Sequence, residues 1–163
     1  MNNKEQSAMP DKVKLSDIID YMQMQNEEVS SYLNKETGEL ITLSNEVFEA
    51  AEEDQPLENF QDWQQEEIKT AAEIMETDKY VQLPSSFEIH EYKIMERFCF
   101  SIADQEVSER LCSAIRGSGA FRRFKDNILR LDLEDEWYKF RDEEYKEIAI
   151  DWCRENGVEF VDQ

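Results

Sequence analysis

The sequence has no long hydrophobic run. No stretch of its 163 residues approaches the roughly 20 apolar residues that a membrane-spanning helix needs. The N-terminus, MNNKEQSAMPDKVK, lacks the apolar core of a secretory signal. We therefore expect neither a membrane span nor export. Residues 1–12 are predicted to be a flexible polar tail, and residues 13–163 a single domain.

Motifs for metal binding and nucleophilic catalysis are also missing. His90 is the only histidine, and Cys99, Cys112 and Cys153 have spacings of 13 and 41, which match no zinc or redox motif. There is no nucleophile elbow and no EF-hand loop. We predict reduced, buried cysteines, a non-catalytic histidine, no metal and no cofactor. Whether the chain is an enzyme stays open.

Positive charge is scarce. Lys and Arg number 18 against 39 Asp and Glu, so the formal net charge is -21. Duplex DNA and anionic membranes are themselves polyanions, and such a chain is expected to bind neither. The excess of carboxylates serves solubility in one interpretation and attracts a basic partner in the other.

The carboxylates are densest in one segment. Residues 44–67 contain nine acidic residues and no Lys or Arg. We interpret this segment as a solvated acidic face. Weak divalent-ion binding and contact with a basic partner remain alternatives.

Hydrophobic periodicity predicts a mainly helical chain. Apolar residues recur at helical spacing over residues 15–24, 44–54, 64–75, 85–99, 104–116, 118–129 and 132–156. Ser16, Asp104 and Ser118 are predicted N-caps, Ser85 and Glu88 have capping-box spacing, and Gly157 suits a left-handed helix terminus.

Short β-prone runs separate some of these helices. They cover residues 29–33, 40–43, 80–83 and 158–161. The first two are joined by a six-residue loop in which Asn34 opens a turn and Gly38 takes positive φ. The predicted class is α+β: a mostly helical single domain with a small, mainly antiparallel sheet that includes this N-terminal hairpin.

One segment reverses the charge of the chain. Arg116, Arg122, Arg123 and Lys125 contribute four positive charges within ten residues that contain no carboxylate. We call residues 116–125 the basic island. With Gly117, Ser118 and Gly119 before a predicted helix, the island has the chemistry of an anion-binding helix terminus.

The basic island has two interpretations. It contains no Walker sequence, and its glycines follow a helix rather than a strand, so it matches no dinucleotide-binding fingerprint. In one interpretation it is a helix–helix turn whose cations pair with acidic neighbours and whose phenylalanines lie in the core. In the other, the candidate site residues Arg116, Gly117, Ser118, Gly119, Arg122, Arg123 and Lys125 bind a small anion, a phosphate-bearing ligand or a partner.

The last predicted helix is rich in aromatic residues. Trp137, Phe140, Ile148 and Trp152 form one stripe, which we assign to the core, while Tyr138, Arg141 and Tyr145 fall on an adjoining face. That adjoining face belongs either to the core or to a groove for a partner.

Four stretches resemble a bacterial family of small acidic proteins of unknown function. They are VKLSDIIDYM, FEIHEYKIMERFC, IRGSGAFRRFKD and WYKFRDEEYKEIAIDWCRENG, and the resemblance runs from about Val13 to Val161. The resemblance implies a bacterial cytoplasmic protein. It carries over no activity, cofactor or catalytic residue.

These observations favour a non-enzymatic binding or regulatory protein of the bacterial cytoplasm. Its partner is an unidentified protein or a small anion, and its oligomeric state is open. The alternative is a phosphate- or nucleotide-binding module, or an enzyme, that uses the basic island. A cleft in which Arg122 or Arg123 converges on a nest of backbone amides would favour the alternative.

Overall fold

The computed structural model describes residues 12–162. The predicted class is confirmed, since the chain is mostly helical with a small antiparallel sheet. The elements in chain order are β1 (Val13–Lys14), α1 (Leu15–Met24), β2 (Val29–Asn34), β3 (Leu40–Ser44), α2 (Asn45–Glu52), a 3-10 turn (Leu57–Asn59), α3 (Asp62–Glu76), β4 (Tyr80–Gln82), α4 (Ser86–Ile89), α5 (Glu91–Ser101), α6 (Gln105–Ala114), α7 (Ala120–Arg130), α8 (Glu134–Glu155) and β5 (Phe160–Val161).

These elements form two compact units. The first contains residues 12–88 and 149–162, and the second contains Ile89–Ile148. We call the second the helical unit. Within residues 12–162, no helix is both long and apolar enough to cross a bilayer.

The first unit is built around an antiparallel sheet. Its strand order is β3-β2-β4, with Tyr32 opposite Ile41 on one side and Gln82 on the other. Asn34 accepts hydrogen bonds from the amides of Glu36 and Thr37, and thereby shapes the loop between β2 and β3. β1 pairs with β5 in parallel. Two residues are too few to give a sequence signal, so β1 was not predicted.

The core of the first unit includes one face of α2 and one face of α3. Leu43, Val47, Ala50, Ile68 and Ala71 form a buried cluster on β3, α2 and α3. The carboxylates of the acidic segment lie outside this cluster, as expected for amphipathic helices. The buried Ser31 of this unit has partners: its hydroxyl donates to the Tyr21 carbonyl and forms a second hydrogen bond with the Thr42 hydroxyl.

Three of the five predicted helix-terminus devices are confirmed. Ser85 and Glu88 form the capping box, and the Asp104 carboxylate accepts from the Val107 amide. Gly157 has φ 67° just after α8.

The prediction for Ser16 was wrong. α1 begins at Leu15, as its periodicity predicts, so Ser16 lies inside the first turn, and Lys14 occupies the N-cap without a side-chain hydrogen bond. The prediction for Ser118 was also wrong, because Gly119 is the N-cap of α7 and takes φ 77°.

The helical unit is organised around an aromatic core. The Phe98 ring contacts Phe124, Trp137 and Phe140, with centroid distances between 5.3 and 6.2 Å. These tilted contacts join α5, α7 and α8, as edge-to-face aromatic packing favours. The Tyr92 hydroxyl donates to the Ile115 carbonyl at 2.8 Å, and so links α5 to the end of α6.

Candidate functional site

The helical unit contains a groove between α7 and α8. Its volume is about 340 Å³. We call it the α7–α8 groove. It is lined by Glu91, Met95, Phe121, Phe124, Lys125, Ile128, Leu129, Glu134, Trp137, Tyr138 and Arg141. Along α7 these residues recur at positions 121, 124, 125, 128 and 129, and along α8 at 134, 137, 138 and 141, so each helix contributes one face.

The rim of the α7–α8 groove is apolar and exposed. Phe121, Leu129 and Tyr138 are 50%, 60% and 54% exposed, respectively. Beneath them, Phe124, Ile128 and Trp137 are buried. Large apolar side chains that cluster at the surface around a concave, apolar floor are typical of an interaction site.

One side of the groove carries a charged network. The Arg141 Nε donates to Glu91 Oε1 at 2.8 Å, and the Tyr145 hydroxyl donates to Glu91 Oε2 at 2.5 Å. The Arg141 guanidinium also stacks over the Tyr145 ring, with its carbon 4.4 Å from the ring centroid. The three side chains therefore hold one another in place.

The electrostatics of this network oppose acid–base catalysis. Burial works to raise the pKa of Glu91, but hydrogen bonds from Arg141 and Tyr145 outweigh it, and the pKa is lowered. Burial and the hydrogen bond to Glu91 raise the pKa of Tyr145. A carboxylate with a lowered pKa is a weak base, and a phenol with a raised pKa is a weak acid. Both pKa values move away from the neutral range that suits proton transfer.

Arg123 of the basic island has a structural position. Its guanidinium donates to the carbonyls of Ala114 at 2.8 Å and Ser118 at 2.6 Å, and to the carbonyl of Arg116. It thus satisfies carbonyls at the end of α6 and across the turn into α7. A Cβ on Gly119 would lie 3.0 Å from Arg123 Nη1, so glycine permits both the positive φ and this close approach.

The other cations of the basic island are exposed. Within residues 12–162, neither Arg116 nor Arg122 forms an ion pair or a side-chain hydrogen bond. Lys125 lines the α7–α8 groove, and its charge contributes to lowering the pKa of Glu91. The two phenylalanines of the island have different environments: Phe124 is buried in the core, whereas Phe121 is exposed on the groove rim. The anion-binding role predicted for the island stays a prediction.

Neither the cysteines nor His90 is among the residues that line this groove. Cys99 and Cys153 are buried as predicted, whereas Cys112 is partly exposed. Burial, followed by the proximity of Cys112, raises the pKa of Cys99 to about 12, and burial raises that of Cys153 to about 11. Both therefore remain thiols at neutral pH, with little nucleophilic character. His90 is the exposed N-cap of α5 and has φ 55°.

Sequence reasoning found part of the groove. Of the three residues on the face of the last helix that was considered for a partner groove, Tyr138 and Arg141 line the groove. The third, Tyr145, is buried in the charged network. Glu91 was missed as a partner of this face because it lies 50 residues from Arg141. Phe121, Ile128 and Leu129 on α7 form the opposite wall of the groove, and their helical spacing is visible in the sequence. The same spacing is typical of a buried core stripe, so the sequence alone does not distinguish a groove wall from the core.

Comparisons with known proteins identify the family to which the chain belongs. A family model described as an uncharacterised protein family, UPF0158, matches residues 8–163. A UPF0158 protein of Pseudomonas aeruginosa is 24% identical over 67 residues, which are 40% of this chain and 44% of that relative. The alignment therefore spans less than half the length of that relative. No solved structure matches.

Proposed function

The chain belongs to UPF0158, a family whose description assigns no activity, and from that premise we propose that it is a non-enzymatic binding protein of the bacterial cytoplasm. Its binding site is the α7–α8 groove, and its partner is a protein that inserts an amphipathic helix there. The cytoplasmic location is supported by Cys99 and Cys153, whose buried thiols form no disulfide within the described residues.

The exposed apolar rim carries this proposal. Phe121, Leu129 and Tyr138 keep half or more of their surface exposed at the edges of a groove with an apolar floor. Two helices that present such faces side by side form the kind of groove that receives the apolar stripe of a third helix. A partner that covers these three side chains would remove them from water, and this burial is the main source of binding free energy.

The charges of the groove specify the partner further. Glu91 and Arg141 neutralise each other, which leaves Lys125 on α7 and Glu134 on α8. A helix whose apolar stripe has a carboxylate on the α7 side and a cation on the α8 side would complement both walls. This arrangement favours one orientation of the partner, since like charges placed opposite each other are destabilising.

Site-specific photo-crosslinking in cells tests the proposal. A photoreactive phenylalanine analogue replaces Tyr138 in one variant and Glu147 in a matched control. Glu147 is exposed on the same helix, and nine residues at 100° each place it on the opposite side from Tyr138.

The expected product is a discrete adduct at position 138 that is absent at position 147, with the crosslink mapped to an amphipathic helix of the captured protein. Leu129→Asp should abolish the adduct. Equal adducts at both positions, or a crosslink mapped only to non-helical segments, would overturn the proposal.

A phosphate-binding module is the second candidate. It is favoured by the exposed guanidinium groups of Arg116 and Arg122 beside the N-terminus of α7, which have no partner within residues 12–162. Titration with inorganic phosphate, followed by amide chemical shifts of residues 117–121, distinguishes it. Saturable shifts that Arg122→Ala removes would support this candidate, whereas shifts that stay linear to the highest concentration would exclude it.

A further inference from the structure

A second cavity of the helical unit has a different chemistry from the α7–α8 groove. Its volume is about 590 Å³, within the range of small-molecule sites. The apolar part of its lining includes Phe98, Val107, Leu133 and Phe140, which come from α5, α6, the residue before α8, and α8. We call it the acidic pocket.

The polar part of the acidic pocket is dominated by carboxylates. Asp104, Glu136, Glu143 and Glu144 line it, and Lys139 is its one cationic lining residue. By contrast, the α7–α8 groove has two cationic and two anionic lining residues. The potential in the acidic pocket therefore favours a positively charged ligand, because concave sites concentrate the field of their lining charges.

Two of these carboxylates already have partners in the fold. Glu144 forms an ion pair with Arg97, and Asp104 caps α6 by accepting from the Val107 amide. Glu136 and Glu143 are exposed and form no ion pair within residues 12–162. They lie two turns apart on α8, about 10 Å along the helix axis, with Lys139 between them. These two carboxylates are available to a ligand.

We propose that the acidic pocket binds a small organic cation, namely a protonated amine attached to an aromatic or aliphatic body. The apolar body contacts Phe98, Val107, Leu133 and Phe140, while the ammonium group lies by Glu136 or Glu143. The lining requires both parts, since an inorganic cation would leave the apolar floor unused and an apolar molecule would leave the carboxylates unpaired. The proposal is independent of the α7–α8 groove, because the two cavities share no lining residue.

Three probes of nearly equal size distinguish the requirement for a positive charge from the requirement for an apolar body. They are 4-phenylbutylamine, 4-phenylbutan-1-ol and 4-phenylbutyrate, which at neutral pH are cationic, neutral and anionic. Methyl chemical shifts of Ile102, Val107 and Leu133 report binding in the pocket. Shifts of Ile128 and Leu129 report binding in the α7–α8 groove instead.

We expect the amine to bind with a dissociation constant about threefold to tenfold lower than that of the alcohol, the effect of one or two exposed ion pairs. The acid should bind more weakly than the alcohol. Glu136→Gln combined with Glu143→Gln should bring the amine and the alcohol to equal affinity. Glu147→Gln, a control on the same helix, should leave the preference unchanged.

Several results would overturn the proposal. They are equal affinity of amine and alcohol for the wild-type protein, an unchanged amine preference in the double variant, no shift with any probe, and shifts confined to Ile128 and Leu129. At least tenfold tighter binding of a capped peptide that alternates lysine and leucine would assign the pocket to a basic protein segment. Shifts of the pocket methyls when the protein is concentrated without a probe would assign it to a second copy of the chain.

Discussion

At the scale of single residues, Glu91 shows how a carboxylate can belong to a groove and yet be unsuited to chemistry. Arg141 and Tyr145 both donate to it, and these hydrogen bonds stabilise its ionised form more than burial destabilises it. The folded state therefore holds the Glu91 proton less tightly than the unfolded state does. This difference links the stability of the protein to pH.

Replacing Glu91 with Gln should expose this linkage. At pH 7 we expect Glu91→Gln to lower the free energy of unfolding by about 1–3 kcal/mol, since it removes charge-assisted hydrogen bonds from a half-buried site. Because the folded pKa is lowered, the contribution of Glu91 is fully present above its usual carboxylate pKa and is lost as the pH falls through the lowered value.

Urea unfolding between pH 7 and pH 3 measures the effect. The difference between wild type and Glu91→Gln should shrink at the acidic end, while Glu147→Gln should remain close to wild type throughout. A difference between wild type and Glu91→Gln that is independent of pH would mean that lost packing, rather than lost ionisation, dominates.

Gly157 is the second residue with a defined energetic role. It takes φ 67° after α8, and the Val158 amide donates to the Cys153 carbonyl across it. A Cβ there would meet no atom within 4 Å, so the cost of Gly157→Ala comes from backbone strain alone. We expect a loss of about 1 kcal/mol in unfolding free energy.

Gly157→Asn is the matched variant, because asparagine tolerates the left-handed region better than alanine. Its loss in a urea unfolding curve should be smaller than that of Gly157→Ala. Identical losses for the two variants would contradict an origin in backbone strain.

The structural role of a residue could be predicted where it depends only on its neighbours in sequence. The capping box of Ser85 and Glu88 and the left-handed Gly157 are encoded within four residues, and both are present. The three carbonyls bound by Arg123 and the partners of Glu91 depend on how helices pack. No spacing rule within one helix reveals such contacts.

At the scale of secondary-structure elements, the turn between α6 and α7 depends on Arg123. The guanidinium donates to three backbone carbonyls, whereas Arg122 in the neighbouring position is exposed and unpaired within the described residues. The same residue type therefore has different roles at adjacent positions. The basic island is partly a structural device, whatever else it binds.

A pair of substitutions separates these roles. Arg123→Lys should lower the unfolding free energy by about 1–2 kcal/mol, because one ammonium group cannot reproduce the planar fork of donors that spans several carbonyls. Arg122→Lys should change it by less than about 0.5 kcal/mol, as is usual at an exposed surface position. Thermal or urea unfolding of the two variants checks this, and equal stabilities would contradict the capping role of Arg123.

The elements themselves were largely encoded in the sequence. Helical periodicity located the long helices, and β-prone runs located β2, β3, β4 and β5. The errors lie at helix starts: Lys14 rather than Ser16 is the N-cap of α1, and α8 begins at Glu134 after Asp132 takes φ 59°. Such boundaries depend on neighbouring elements, as with β1, which leads directly into α1 and leaves no room for a serine cap.

At the scale of the whole molecule, charge is unevenly distributed between the two units. The helical unit holds 11 of the 18 basic residues but only 14 of the 39 acidic ones, so its net charge is -3 and the rest of the chain carries -18. The groove, the acidic pocket and the basic island all belong to this less charged unit. The strongly acidic character of the chain therefore comes mainly from residues outside the helical unit.

The net charge also predicts what the protein does not bind. If the basic island contacted about four phosphates of a duplex, log affinity would fall with log salt at a slope near -3.6. The remaining charge opposes this contact, so we expect no binding of a 20-base-pair duplex at roughly 150 mM salt up to about 100 μM protein. Fluorescence anisotropy measures it, and tight, sequence-selective binding under these conditions would contradict the argument from charge.

The central claim is that the α7–α8 groove binds a partner's amphipathic helix through its exposed rim. Calorimetric titration of that helix, made as a synthetic peptide from the crosslinked sequence, tests it most directly. Because Leu129 is 60% exposed, Leu129→Asp should leave the melting temperature nearly unchanged. It should nevertheless raise the dissociation constant of the peptide at least tenfold, on the order of 1.4 kcal/mol. An unchanged dissociation constant in a variant that folds normally would contradict the claim.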